Sequence, residues 1–188
     1  MIDKTSNIKL CRRFNIPFQA HELTFCCLKK RPFLSKDIVC HFLIESIIRA
    51  QSLHQFDIWA YVFMPNHVHI LIWPKREIYS ISNIMLSIKQ SSSRKAIIHL
   101  RKKNPDGLKF LATGFKDTPY RLWMDGGGYD RNFVYSKAII SSVHYIHNNP
   151  VRRGLSARPE DWKWSSAIDW SGFGGGPIPI NRDSFPAI

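Results

Sequence analysis

Between Phe56 and Trp73 the chain runs through two segments rich in aromatic and β-branched residues, FDIWAYVFM and HVHILIW, with only Pro65-Asn66 between them. Two such runs joined by a tight turn predict an antiparallel β-hairpin over Phe56–Met64 and His67–Trp73. That pairing limits how the rest of the chain can be arranged. Gln19–Leu28 alternates as a strand, with His21, Leu23, Phe25 and Cys27 on one face. Ser35 offers a cap for a helix to about Leu53, with Ile38, Val39, Phe42, Leu43, Ser46 and Ile47 as its apolar stripe. Ile81–Arg101 reads as a second helix with Ile84, Ile88 and Ile97 inward. Pro119–Met124 reads as a strand that Gly126-Gly127-Gly128 breaks. A last helix follows from about Ser136 to His147 and stops at Asn148-Asn149-Pro150. The order β-α-β-β-α-β predicts an α+β fold: a ferredoxin-like antiparallel sheet with helices packed on one face, plus a C-terminal extension. Residues 1–170 form one domain in this reading, and 171–188 a Gly/Pro-rich, loosely ordered tail.

Charge narrows the partners. Lys and Arg number 27 against 14 Asp and Glu, a net charge of +13, which points to a polyanion. Hydrophobic residues at 44% supply a core and exclude global disorder. The apolar runs, such as Ile70–Trp73, fall far short of the roughly 18 residues of a spanning helix, so no membrane partner is expected. The opening MIDKTSNIKL has no apolar stretch after its charges and does not read as a secretory signal. Cys11, Cys26, Cys27 and Cys40 contain no Cys-x-x-Cys pair, which excludes zinc fingers and fits reduced, buried thiols in a cytoplasmic protein.

The chemistry concentrates in MPNHVHILIWP. On a strand His67 and His69 project to one side while Val68, Ile70 and Ile72 face the other. Two adjacent imidazoles can hold a divalent cation, and a plain surface pair is the alternative. The absence of a third histidine at Leu71 counts against a histidine-triad hydrolase. Phosphodiester cleavage also requires a nucleophile. Tyr129 follows three glycines in GGGYDRN, where the backbone can approach a phosphate closely and Arg131 can neutralise it. A phenol ordinarily ionises near a pH of about 10, so its attack needs a cation nearby, and a loop tyrosine packed on the core is the alternative. Lys89, Arg94 and Lys95, with Arg101-Lys102-Lys103, could line a DNA backbone groove or form a solvated helix face. Arg152 and Arg153 are further candidates for DNA contact, whereas Trp162 and Trp164 are better suited to packing the C-terminal segment.

Taken together, MPNHVHILI, LWMDGGGYDRN, YIHNNPVRRGL and RPEDWKWSSA resemble the REP-associated tyrosine transposases, within the insertion-sequence-200-like group of HUH single-tyrosine enzymes. The likeness runs from about His21 to Ala167. It implies a ferredoxin-like domain that binds single-stranded or hairpin DNA, either as a monomer or as a homodimer, in the cytoplasm with the nucleoid. It implies that His67 and His69 hold Mg²⁺ or Mn²⁺, and that Tyr129 attacks phosphorus to give a 5′-phosphotyrosine and a free 3′-hydroxyl. In related enzymes a polar side chain one helical turn past the tyrosine completes the metal shell. Four residues past Tyr129 stands Phe133, which leaves Asn132 or Asp130 as the third ligand. The rival readings are a non-catalytic DNA-binding descendant of such an enzyme, a rolling-circle or mobilisation endonuclease, and, more distantly, an RNA-binding module.

Overall fold

The computed structural model describes residues 14–126 and 128–186; Cys11 and Gly127 lie outside the described residues. Among the described residues four strands form the sheet: β1 (Ala20–Cys26), β2 (Phe56–Met64), β3 (His67–Pro74) and β4 (Tyr129–Phe133). Their spatial order is β2-β3-β1-β4, antiparallel throughout, as the ferredoxin-like pattern requires. Helices α1 (Asp37–His54) and α2 (Ile81–Lys103) cover one face, and α3 (Ser136–Arg152) covers the other.

The two-residue period of the strands sorts side chains between two cores. Leu23, Phe25, Val68, Ile70 and Ile72 face α1 and α2, in a core that includes Leu43, Ile47, Ile84 and Ile88. Ala20, Val62, Leu71 and Phe133 face α3 through Ile139, Val143 and Ile146. The hairpin is therefore buried on both sides. A register shift between Ile58 and Ala60 lets Trp59 and Ala60 both join the α3 face while Ile58 and Tyr61 join the other.

Several local expectations change. The fourth strand is Tyr129–Phe133, and Pro119–Met124 contributes only isolated bridges, Ala112 with Tyr120 and Cys27 with Trp123. Gly128 makes this possible: its φ is +73°, and a Cβ there would stand 2.1 Å from the Thr24 carbonyl oxygen. Helix α1 starts after Lys36 with no side-chain cap, so Ser35 does not cap it. Its buried face also turns away from Ile38 toward Cys40, Ile44 and Ala50. Helix α3 does not stop at Asn148-Asn149-Pro150. It continues to Arg152 and ends where the Leu155 N–H reaches the Pro150 carbonyl and the Gly154 N–H reaches that of Val151, with Gly154 at φ +66°. That is the Schellman arrangement, in which glycine takes the left-handed position.

The C-terminal segment is not a loose tail. Residues Ala167–Trp170 form a short α4, and the chain beyond it lies along the β2 edge. Ile178 is fully buried, with its N–H and C=O both bonded to the Tyr61 hydroxyl. Asn181 pairs with Ile58 through its backbone N–H and its side-chain oxygen, at 2.8 and 2.9 Å. Phe185 packs on Trp59 and Trp170. Trp162 and Trp164 pack against the core, as their pattern suggests. Among the described residues no helix is long and apolar enough to cross a membrane. Cys27 and Cys40 are buried free thiols, pushed by that burial up to about 12.

Candidate active site

Strand register brings the chemistry together on the α3 face. His69 stands opposite Thr24, and Thr24 opposite Tyr129, so the three form one row across β3, β1 and β4. Leu71, Glu22 and Arg131 form the next row. His67 and His69 project together, their rings 5.0 Å apart and nearly perpendicular. From above, Ser142 and Tyr145 of α3 descend onto the sheet and close a cleft of about 610 Å³, with Glu22, Thr24, His69, Tyr129 and Arg131 also lining it.

Each histidine is held at Nδ1. The Nδ1 of His69 lies 2.9 Å from the Thr24 hydroxyl and 3.4 Å from Glu22 Oε1. The Thr24 hydroxyl can donate or accept, and the Glu22 carboxylate, which only accepts, favours a proton on Nδ1. The other Glu22 oxygen accepts from the Ser142 hydroxyl at 2.9 Å, which ties the carboxylate to α3. His67 Nδ1 is 2.6 Å from Asn66 Oδ1. Burial, then His69, then Arg153 and Lys30 pull the His67 pKa down to about 4, so the ring is neutral at pH 7. Paired imidazoles, each restrained through Nδ1, are a donor set that a divalent cation takes. The residues present fit the ion that the resemblance implies. Glu22 was not among the sequence candidates. Its signal lay in the alternation of AHELTFC, which places Glu22 opposite to His21 and Leu23 and hence on the histidine face.

Two tyrosines reach the cleft. Tyr129 stands at the start of β4, 56% exposed and two strands from His69, about 10 Å across the sheet. Tyr145 lies on α3 with its ring 5.6 Å from that of His69, edge to face at 87°. The Arg152 guanidinium packs on the Tyr145 ring at 5.3 Å. Asn149, one turn beyond Tyr145, is buried, and its Nδ2 donates to the Tyr145 carbonyl.

The other candidates divide by face. Asp130 and Asn132 alternate away from the histidines and point to the α1/α2 side, so neither can be the third ligand. Asp130 accepts from His21 Nδ1 at 2.8 Å, in a buried chain that continues from His21 Nε2 to the Tyr79 hydroxyl. Asn132 donates to the Phe14 carbonyl and to Gln19 Oε1. Arg131 is in the cleft, stacked on Phe133 at 4.8 Å. Arg152 and Arg153 lie at the histidine end. Lys89, Arg94 and Lys95 are on α2, across the sheet from the histidines. There Lys89 donates to the Met124 and Gly126 carbonyls and Lys95 pairs with Glu45. Arg94 lines a separate groove between α2 and residues 118–126.

Comparison with known proteins bears on the fold and the family. A solved REP-associated tyrosine transposase bound to a REP hairpin superposes with a TM-score of 0.66 at 19% identity, covering 90% of each chain. A candidate transposase from Deinococcus radiodurans R1 aligns at a TM-score of 0.45 and 15% identity, over 73% of this chain and 95% of its own. No curated protein sequence matches. The transposase IS200-like family matches residues 18–149, most of the chain and all four strands. With the whole sheet, the histidine pair and most of α3 within that span, the chain belongs to the IS200-like transposase family.

Proposed function

We propose that the protein cleaves and rejoins single-stranded DNA beside hairpin-forming repeats, using Tyr145 rather than Tyr129 as the nucleophile. The observation that carries this is the Tyr145 ring packed edge-on against His69, whose own ring lies 5.0 Å from that of His67. The family pattern asks for a polar side chain one helical turn after the tyrosine. Tyr129 is on a strand and is followed at that distance by Phe133, whereas Tyr145 is on a helix and is followed by Asn149. The hairpin bound by the structural neighbour supports DNA of that form as the partner.

The Nε2 atoms of His67 and His69, with the Asn149 side chain as third donor, would hold Mg²⁺ or Mn²⁺. That ion supplies Lewis-acid polarisation of a phosphate oxygen. Glu22 and Thr24 keep His69 in the tautomer that presents Nε2. Arg152, against the tyrosine ring, is placed to neutralise a phosphate brought to the hydroxyl. The Tyr145 oxygen forms a bond to phosphorus as the P–O3′ bond breaks. The phenol gives up one proton and the departing 3′ oxygen takes one up, leaving a 5′-phosphotyrosine and a 3′-hydroxyl. The ester keeps the bond energy, so attack by a 3′-hydroxyl reverses the step without ATP.

The test is a covalent adduct. Protein mixed with Mn²⁺ and hairpin-flanked single strands should give a denaturation-resistant species whose mass is protein plus the downstream fragment. Tyr145→Phe should lose the adduct and retain DNA binding, while Tyr129→Phe should still form it. Loss in Tyr129→Phe alone would return the nucleophile to Tyr129. No adduct from any such substrate would favour a non-catalytic DNA binder.

A further inference from the structure

Asn66 occupies the turn between β2 and β3, and its groups face three ways. Its backbone carbonyl accepts from the Cys27 N–H at 2.8 Å, its Nδ2 donates to the Lys30 carbonyl at 3.4 Å, and its Oδ1 lies 2.6 Å from His67 Nδ1. The Lys30 carbonyl can only accept, which puts the amide nitrogen on that side and the oxygen toward His67. An amide oxygen demands a donor, so Nδ1 of His67 carries the hydrogen and Nε2 the lone pair. Among the described residues Asn66 is the one hydrogen-bond partner of the His67 ring, whereas the His69 ring has Thr24, with Glu22 in ion-pair range at 3.4 Å.

The same amide holds a strained segment. Lys29 and Lys30 take φ of 54° and 51°, two consecutive non-glycine residues in the left-handed region. Such conformations are strained for residues with a Cβ and persist only where surrounding bonds enforce them. Here the bonds are Lys30 N–H to the Cys27 carbonyl, Cys27 N–H to the Asn66 carbonyl, and the Asn66 side chain to Lys30.

We propose that Asn66 is a positioning residue that selects the Nδ1–H tautomer of His67, and so sets the affinity of the histidine pair for a divalent cation. The proposal rests on the reading of His67 and His69 as cation ligands. A second partner on a ligating imidazole commonly changes metal affinity by about 10- to 100-fold.

The experiment uses full-length ¹⁵N-histidine-labelled protein in two measurements. Long-range ¹H–¹⁵N spectra of the metal-free protein report the His67 tautomer, with the signal assigned by its loss in His67→Ala. Electron paramagnetic resonance titration reports Mn²⁺ affinity. Asn66→Ala should move His67 toward the Nε2–H form and weaken Mn²⁺ by roughly 10-fold or more. Asn66→Asp keeps an accepting oxygen, so it should retain the Nδ1–H form and rescue the affinity to within a few-fold. An Asn66→Ala protein with an unchanged His67 tautomer would overturn the proposal, even if Mn²⁺ bound more weakly. So would loss of the Nδ1–H form in Asn66→Asp, an arm that decides the matter if the alanine variant does not fold. Failure of the wild-type protein to bind Mn²⁺ would instead overturn the cation reading, and the metal-free spectrum would still decide what Asn66 does to His67.

Discussion

His147 shows how far a side chain's role depends on its neighbours. It lies two residues from Tyr145 on the inner side of α3, where its Nε2 is 2.8 Å from the Ser166 hydroxyl. Burial, with His144 adding to it, pulls its pKa down to about 4. The unfolded chain therefore binds a proton there near pH 6.5 and the folded chain only near pH 4. Stability from this group is complete above about pH 6.5 and is lost as pH falls toward 4, by roughly 3 kcal/mol in all. Thermal midpoints measured between pH 4 and 7 should fall with acid in the wild type, and the slope should flatten in His147→Gln. At this scale the histidine pair was legible from spacing alone, because a strand's period of two needs no tertiary information. Tyr145 was not. Its position over His69 depends on α3 crossing the opposite face of the sheet, and nothing local in YIHNN says what lies beneath it.

Two glycines separate the effects that set the elements. Gly154 ends α3 at φ +66° with open space around its missing Cβ, so Gly154→Ala should cost about 1 kcal/mol and leave the cleft intact. Gly128 also has positive φ, but a Cβ there would run into the β1 backbone. Gly128→Ala should cost more than that strain alone, about 1 kcal/mol, and should unpair β4. Urea unfolding gives the first quantity. Hydrogen exchange at the β4 amides checks the second, since they should lose protection while those of β3 keep it. The hairpin Phe56–Met64 with His67–Pro74 was legible nearly to the residue, because its apolar alternation and turn agree. The α3 end was misjudged because proline forbids only one hydrogen bond. In the last turn that bond is cheap to lose, and the glycine four residues later decides the stop.

Across the whole molecule the C-terminal segment seals the β2 edge, which a composition of Gly and Pro disguised. Composition reports how a backbone can bend, not where Ile178 and Asn181 will dock. Truncation after Gly176 removes a fully buried isoleucine and the Asn181 pairing with Ile58, and should cost roughly 3 kcal/mol or more by area and hydrogen-bond arithmetic. Differential scanning calorimetry would register it as a lower midpoint, with aggregation as the bared edge finds partners. The net charge of +13 predicts a steep salt dependence of DNA binding. Each phosphate neutralised on a single strand contributes about −0.7 to the slope of log K against log salt. A titration series should therefore lose affinity sharply from low to moderate salt, and reversing Arg152 and Arg153 to Glu should flatten the line.

β4 also constrains how relatives of this chain can diverge. Tyr129, Arg131 and Phe133 face the cleft side while Asp130 and Asn132 face the opposite core, and only this parity keeps the His21–Asp130 contact inside. Losing or gaining one residue between Gly128 and Phe133 would exchange the two sets, pushing a carboxylate toward the histidines and an arginine into the core. Drift in this stretch is confined to replacing side chains, while changes of length must fall elsewhere, as in the loop that carries exposed Phe115.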